Sequence, residues 1–181
     1  NTALLFADRA SATSLKQGAP HTLLHEFVDF MDDGEEALSL IQVDQSINAQ
    51  GETVRRHCLR MIGKKVFKKA VQGMVECVED SAKAISLEPS NNWWIVPHQA
   101  NGRIIQKMQK ELNDKGWPTI NVVNEIAKMG NVAGSGIFSA LKKAWDRIPK
   151  GSLIFTPAMG AGPGIAKGFM TKGNVVFQKN A

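Results

Sequence analysis

Three stretches of the sequence carry groups that could do chemistry together. His98 follows the apolar run Trp93–Val96. Asn131 lies in a loop of small residues, and Gly160 begins a glycine-rich turn after another apolar run. A neutral imidazole, a carboxamide and backbone N–H groups can all donate hydrogen bonds. If the three strand ends converge on one edge of a sheet, these groups would surround one point and suit the stabilisation of a thioester or enolate oxyanion.

The elements around His98 follow from local pattern. Trp93–Val96 is typical of a buried strand, and Pro97 ends it because proline has no N–H to give to the ladder. Gln99 to about Lys115 is predicted to be a helix. Its apolar face comprises Ile104, Ile105, Met108 and Leu112. His98 is therefore placed where open α/β sheets hold their chemistry, at the carboxyl end of a strand.

Two of these stretches remain open to a structural explanation. The small residues around Asn131 precede a helix predicted from about Ile137 to Arg147, where free N–H groups favour a negative atom. The spacing of Gly134 and Gly136 matches neither the dinucleotide nor the P-loop template. Asn131 could instead be an N-cap at a tightly packed helix entrance. The turn at Gly160 could present N–H groups inward or be an ordinary tight turn.

The remaining elements supply neighbours for these strands. A helix is predicted from Lys64 to about Ser86, where apolar residues recur at helical spacing. The expected strands are two short ones near the start with a turn at Asp8 and Arg9, one or two within 17–51, and then Ile120–Val123, Ser152–Ala158, and a terminal hairpin of Ile165–Met170 with Asn174–Gln178.

Composition narrows the class of protein. With 181 residues and 43% hydrophobic content, the chain can form one domain with a sizeable core. No apolar run approaches the roughly 20 residues of a membrane-spanning helix, and no secretory signal is visible, so a cytoplasmic protein is expected. The net charge of +5 is modest, and the sequence contains no basic run with interleaved aromatic residues. Nucleic acid is therefore not expected as a partner, whereas phosphates or an acidic carrier protein would suit the charge.

Neither cysteine is predicted to be a nucleophile. Cys77 falls on or beside the apolar face of the first helix, as a small buried hydrophobe would. Cys58 follows two arginines and a histidine that could lower a thiol pKa, but no strand-then-helix elbow is expected around it. His21 and His25 could form a metal pair, but solvated or capping histidines are preferred, so no metal site is predicted.

Several motifs resemble the 3-oxoacyl-[acyl-carrier-protein] synthase III family of the thiolase-like superfamily. Val96–Ile105 is similar to its histidine motif, and Gly130-Asn131 with the small residues after it is similar to its asparagine motif. Three further segments also match in order: Phe6–Ala10 (a Gly-Asp-Gly-Ala turn in the family), Met61–Val71 and Met159–Gly162 (a glycine-rich loop). The resemblance is strong over 55–170 and weak over 16–54. The Thr-Ser that usually follows the asparagine is Val132-Ala133 here.

The resemblance implies a mechanism. In the family, a cysteine takes an acyl group from coenzyme A or a carrier protein, and a histidine and an asparagine stabilise the enolate formed when a malonyl thioester loses carbon dioxide. His98 and Asn131 would take these roles. The oxyanion hole for acyl transfer would use the N–H of Ala161, flanked by Gly160 and Gly162. Asn101 and Arg103 would lie near the substrate and carrier-docking surface, although Arg103 could also be a plain solvated charge.

The resemblance also implies an architecture and its partners. Residues 55–181 would form the C-terminal half of an α/β thiolase-like fold, which is a mixed five-stranded sheet with helices on both faces. Residues 1–54 would contain the end of the N-terminal-half strands and a variable connecting segment. No cofactor is implied, because an acyl-coenzyme A or acyl carrier protein thioester is the substrate. The nucleophilic cysteine belongs to the family's N-terminal half, so that half is the expected partner, in a dimeric assembly. We therefore expect an acyltransferase or condensing enzyme of fatty acid, polyketide or secondary metabolism that is inactive as this chain alone. The alternative is a non-catalytic subunit that stabilises or regulates an active partner.

Overall fold

The computed structural model describes residues 7–11, 22–30, 38–84, 92–117, 121–159 and 164–171. The strands in chain order are β1 (Thr22–Phe30), β2 (Leu38–Ile47), β3 (Thr53–Met61), β4 (Trp93–Ile95), β5 (Asn121–Val122), β6 (Leu153–Phe155), β7 (Ala158–Met159) and β8 (Gly164–Thr171). The α-helices are α1 (Gly63–Ala84), α2 (Gly102–Asp114), α3 (Ile126–Met129) and α4 (Gly136–Ala144), and 3₁₀ turns span Ala133–Ser135 and Trp145–Arg147.

The main sheet is mixed, as expected from the sequence. Its order is β1-β8-β6-β4-β5, with β7 pairing β8 off this path. β4 lies parallel to β5 and to β6, whereas β8 runs antiparallel to β1, β6 and β7. β2 and β3 form a separate antiparallel pair. The three parallel strands therefore present their carboxyl ends at one edge.

Two strand predictions need correction. The described residues give six strands in the main sheet and not five, because the predicted strand Ser152–Ala158 is interrupted before β7. Pro157 lies at this break and has no N–H for a ladder. The first arm of the predicted terminal hairpin, Ile165–Met170, is confirmed as a strand because it lies within β8, but its pairing differs from a hairpin: Phe169–Thr171 pairs with β1 on one edge and with β6 on the other. Its second arm, 174–178, and the N-terminal strand 2–6 lie outside the described residues.

Helices cover both faces of the sheet, which confirms the expected layering. On β4, Trp93 and Ile95 face one cluster and Trp94 faces the other. The first cluster contains Ala70, Val71, Met74, Val75 and Val78 of α1 with Ile104, Met108 and Leu112 of α2. The second contains Val123, Met129, Ala140, Leu141, Ala144, Trp145 and Ile148. The alternation along a three-residue strand thus places one helix layer on each side.

The helix boundaries refine the prediction at α2. The helix begins at Gly102 and not at Gln99, because Asn101 is extended (φ −160°, ψ 133°) and its Oδ1 accepts the Arg103 N–H at 2.8 Å. α1 begins at Gly63, one residue before the expected start, and α3 was not predicted. In the described part of the chain, no helix is long and apolar enough to cross a membrane.

Cys58 does not lie on a strand-then-helix connection, as expected from the sequence. β3 is followed by α1 after a single residue, Ile62, so a strand-then-helix connection does exist here. Cys58 lies within β3, three residues before its end, and not at the connection itself. Cys77 is 2% exposed on α1, as its apolar neighbours predicted.

Candidate functional site

The backbone of His98 is held by the strand next to it. Val96 donates its N–H to Phe155 O at 2.8 Å, and His98 donates to Pro157 O at 2.9 Å. The chain between β4 and α2 therefore stays hydrogen-bonded to the continuation of β6 after the regular ladder has ended. This places His98 at the carboxyl edge shared by the parallel strands, as the sequence predicted.

The imidazole of His98 is half-buried. Burial lowers its pKa from the ordinary value of 6.5, because removing the ring from water disfavours the charged form. The ring is therefore neutral at physiological pH. A neutral imidazole carries one N–H donor and one acceptor nitrogen.

Asn131 lies in a loop with an unusual backbone. Gly130 before it has φ 68°, and Ala133 after it has φ 49°, the left-handed region that a non-glycine residue rarely adopts. Ala133 donates its N–H to Asn131 Oδ1 at 3.0 Å. With its oxygen turned towards Ala133, the carboxamide presents Nδ2, its donor end, to other partners. Asn131 is not the N-cap of α4, since that position is occupied by Ser135.

The segment 7–11 packs against this loop. Ala7 donates its N–H to Asn131 O at 2.7 Å, and Ser135 Oγ lies 3.3 Å from Arg9 O. A Cβ on Gly130 would lie only 2.8 Å from Ala7 Cβ, so glycine is required for this approach. Two segments singled out separately in the sequence, Phe6–Ala10 and the Asn131 loop, are thus neighbours over their described residues.

Gln99 is a residue of the site region that the sequence analysis missed. Its side chain is fully buried, donates to Pro97 O (2.8 Å) and Val123 O (3.2 Å), and accepts the Glu125 N–H (2.9 Å). The sequence pattern places it in a helix, because the apolar face of Ile104, Ile105, Met108 and Leu112 does not mark where that helix begins. The signal that could have excluded it is Asn101 before Gly102, since an asparagine N-cap begins the helix after Gln99.

Glu125 was missed for a similar reason, since nothing in its sequence context marks it as buried. It is 6% exposed at the start of α3, and Arg147 donates to its Oε1 at 2.8 Å. Lys128 Nζ lies 3.4 Å from Oε2. A buried carboxylate held by two cations joins α3 to the end of the α4 segment, beside the Asn131 loop.

The other predicted site residues divide into described and undescribed ones. Asn101 uses its oxygen to cap α2, and the exposed Arg103 is the second residue of that helix. Ala161, Gly160 and Gly162 lie outside the described residues. Among the residues that the structure describes, no group of three or more His, Cys, Asp or Glu side chains could hold a metal ion.

The chain is similar to proteins of one known family. Residues 82–170 match the family model for the 3-oxoacyl-[acyl-carrier-protein (ACP)] synthase III C terminal. The beta-ketoacyl-[acyl-carrier-protein] synthase III of Ruegeria pomeroyi is 35% identical over 168 residues, which are 90% of this chain and 50% of the relative. The chain therefore spans about half the length of this curated relative.

Solved structures show the same correspondence. The synthase III structure from Thermus thermophilus is 28% identical, with a TM-score of 0.72 over 96% of this chain and 54% of that one. The priming beta-ketosynthase of the R1128 polyketide biosynthetic pathway has a TM-score of 0.64 at 22% identity, over 83% of this chain and 45% of that one, a likeness of fold. The thiolase-like fold expected from the motifs is thus confirmed.

Proposed function

Because residues 82–170 carry the C-terminal domain of the 3-oxoacyl-[acyl-carrier-protein] synthase III family, we propose that this chain is the histidine and asparagine half of an acyl-thioester condensing enzyme. The half-length match to the relatives supports a nucleophilic cysteine outside this chain, either in the same polypeptide or in a second subunit. Buried Cys77 is unsuited to the role, because a nucleophile must reach its thioester.

One observation carries the proposal. Gln99 hydrogen-bonds both the loop that holds His98 and the segment that follows β5, and it packs against Gly136, five residues after Asn131. This arrangement supports two neutral donors, one imidazole and one carboxamide, acting at one edge of the sheet. Neutral donors suit an oxyanion that forms and disappears within the reaction, because they stabilise it without trapping it as an ion pair.

The proposed step is a decarboxylative condensation. The bond between C2 of a malonyl thioester and its carboxyl carbon breaks, carbon dioxide leaves, and the electron pair forms an enolate. His98 and Asn131 Nδ2 donate to the enolate oxygen and stabilise it. C2 of the enolate then attacks the acyl group on the cysteine, and the cysteine leaves as a thiolate. The oxyanion of that second step would be bound by the backbone at Ala161 in the proposed assignment.

The substrate is proposed to be a thioester of coenzyme A or of acyl carrier protein, with no further cofactor. Arg103 is exposed on the first turn of α2, close in sequence to His98, and could pair with a phosphate group or an acidic carrier surface. Asn101 contributes mainly by fixing the start of the helix that carries Arg103.

Native mass spectrometry of the protein from its source tests the proposal first. We expect either a longer polypeptide or a companion chain with a cysteine that becomes labelled by an acyl thioester, whereas this chain alone turns over none. Acyl transfer by the isolated chain would contradict the need for an outside cysteine. An assembly without any labelled cysteine would contradict the enzyme and favour a non-catalytic subunit.

Two substitutions in the labelled assembly then test the assigned roles. His98→Ala and Asn131→Asp should each reduce malonyl decarboxylation by roughly 100-fold, because each removes a donor to the enolate oxygen. Asn131→Asp keeps the oxygen that faces Ala133, so the loop is retained while the donor is lost. Cysteine acylation should continue in both variants. Loss of acylation together with decarboxylation would contradict this division of roles.

A further inference from the structure

The buried amide of Gln99 makes three hydrogen bonds, two through its nitrogen and one through its oxygen. Both hydrogens of Nε2 are directed to carbonyl oxygens, of Pro97 and Val123, and Oε1 accepts the Glu125 N–H. A side chain with no exposed surface cannot exchange these bonds for water. Each of them is therefore costly to lose.

These bonds connect segments that are distant in sequence. Pro97 precedes His98 in the β4–α2 loop, whereas Val123 and Glu125 lie between β5 and α3, 24 and 26 residues beyond Gln99. Through Glu125 the connection continues to α3, which ends one residue before Gly130 and the Asn131 loop.

A second contact ties Gln99 to the helix that follows Asn131. A Cβ on Gly136 would lie 3.4 Å from Gln99 Cβ and 3.6 Å from Gln99 N, so the first residue of α4 packs directly on the backbone of the histidine loop. Gln99 therefore contacts chain on both sides of the Asn131 loop: Glu125, which caps α3 before the loop, and Gly136, which begins α4 after it.

We propose that Gln99 is a positioning residue that fixes His98 and Asn131 relative to one another. Its amide is suited to this because it gives two directed donors and one acceptor from a single planar group. A glutamate in its place would set a carboxylate against two carbonyl oxygens. This inference rests on the proposed function for its catalytic consequence, but the geometric link can be tested separately.

A positioning role predicts a selective effect on the reaction. Two donors must meet one oxygen, and a displacement of about 1 Å at a reacting centre can cost roughly 100-fold in rate. Acylation of the cysteine does not need this pair in the proposed mechanism. Disturbing Gln99 should therefore slow decarboxylation much more than acylation.

The experiment compares two variants of the complete assembly. Gln99→Glu replaces the amide with a carboxylate, and Gln99→Asn keeps the amide but shortens the side chain by one methylene. Gln106→Glu makes the same chemical change as the first variant at an exposed position on α2. We expect kcat for decarboxylation to fall roughly 10- to 100-fold in the Gln99 variants, with acylation within about twofold and the Gln106 variant unchanged. Equal losses in both half-reactions, or no loss in either, would overturn the proposal.

An NMR comparison keeps this test separate from the proposed function. In the same assembly, Gln99→Asn should shift both the His98 ring resonances and the Asn131 side-chain amide, and Gln106→Glu should shift neither. If the unsubstituted assembly shows no acylation, the proposed function fails while these shifts still decide the role of Gln99. If Gln99→Glu does not fold, Gln99→Asn gives both readouts. Unmoved His98 and Asn131 resonances in a folded Gln99 variant would overturn the proposal.

Discussion

Arg147 donates to Glu125 Oε1 at 2.8 Å, and this ion pair is buried at one end and open to water at the other. The Glu125 side chain is 7% exposed, whereas that of Arg147 is 57% exposed. The bond joins the start of α3 to the 3₁₀ turn after α4, and the Asn131 loop lies between these elements. The pair therefore closes a loop of chain that contains one of the two proposed catalytic side chains.

Removal of Arg147 should destabilise the protein more than removal of Lys128. Arg147→Met leaves a buried carboxylate with only the more distant lysine, and we expect a loss of roughly 1–3 kcal/mol in the free energy of unfolding. Lys128 is 74% exposed at 3.4 Å, so Lys128→Met should cost about 0–1 kcal/mol. Urea denaturation measures both losses. Equal losses for the two variants would contradict the importance assigned to the Arg147 bond.

Gly130→Ala should separate the segment 7–11 from the Asn131 loop. The residue has φ 68°, and a Cβ there would meet Ala7 Cβ at 2.8 Å. With ψ −177°, Gly130 adopts a conformation that is essentially restricted to glycine, so backbone strain of about 1–3 kcal/mol and a steric cost of roughly 1–3 kcal/mol should add. Gly116→Ala is the comparison variant, because Gly116 also has a positive φ, 88°, but has nothing within 4 Å of a Cβ, so this variant lacks the steric contact. Equal costs in denaturation would contradict the close approach.

The sequence predicted those parts of the fold that depend on periodic burial. α1 and the apolar face of α2 followed from spacing, and Trp93–Val96 was predicted as a strand because it is apolar and ends at Pro97. These patterns record which residues leave water, and burial is the main term in folding. The position of His98 followed from the same pattern, since it needed only the end of the strand.

What the sequence could not give were contacts set by tertiary packing. Gln99 is a buried polar residue that bonds Val123, 24 positions away. Glu125 is a buried carboxylate that pairs with Arg147, which lies in another element. No local sequence pattern indicates such partners. The break before β7 could have been predicted, because Pro157 has no N–H to donate to a ladder. The apolar run instead favoured one continuous strand over Ser152–Ala158. The roles proposed for His98 and Asn131 rest on the family resemblance, since spacing alone left Asn131 open to an ordinary capping role.

Ala133→Gly should stabilise the Asn131 loop. Ala133 has φ 49° and is exposed, so its methyl group adds strain without adding buried contacts. Glycine adopts this conformation freely, and we expect a gain of roughly 0.5–1 kcal/mol in the free energy of unfolding. Ala127→Gly, at an exposed position in α3, should have the opposite sign, with a loss of about 0.5–1 kcal/mol. A loss in denaturation experiments on Ala133→Gly would contradict the strain.

The lowered pKa of His98 should make stability depend on pH in one direction. Above the ordinary pKa of 6.5 the ring is neutral in both the folded and the unfolded state, and its contribution is fully present. As the pH falls below that value, the unfolded chain takes up the proton first, so stability is lost until the folded-state pKa is reached. NMR titration of the ring and urea denaturation across this range, with His98→Gln as the reference, measure the effect. The unsubstituted protein should lose more stability on acidification than the variant, because only the former buries a neutral ring that must charge. A ring that titrates at or above 6.5, with equal losses in the two proteins, would contradict the burial of His98 and the neutral state that its proposed donor role requires.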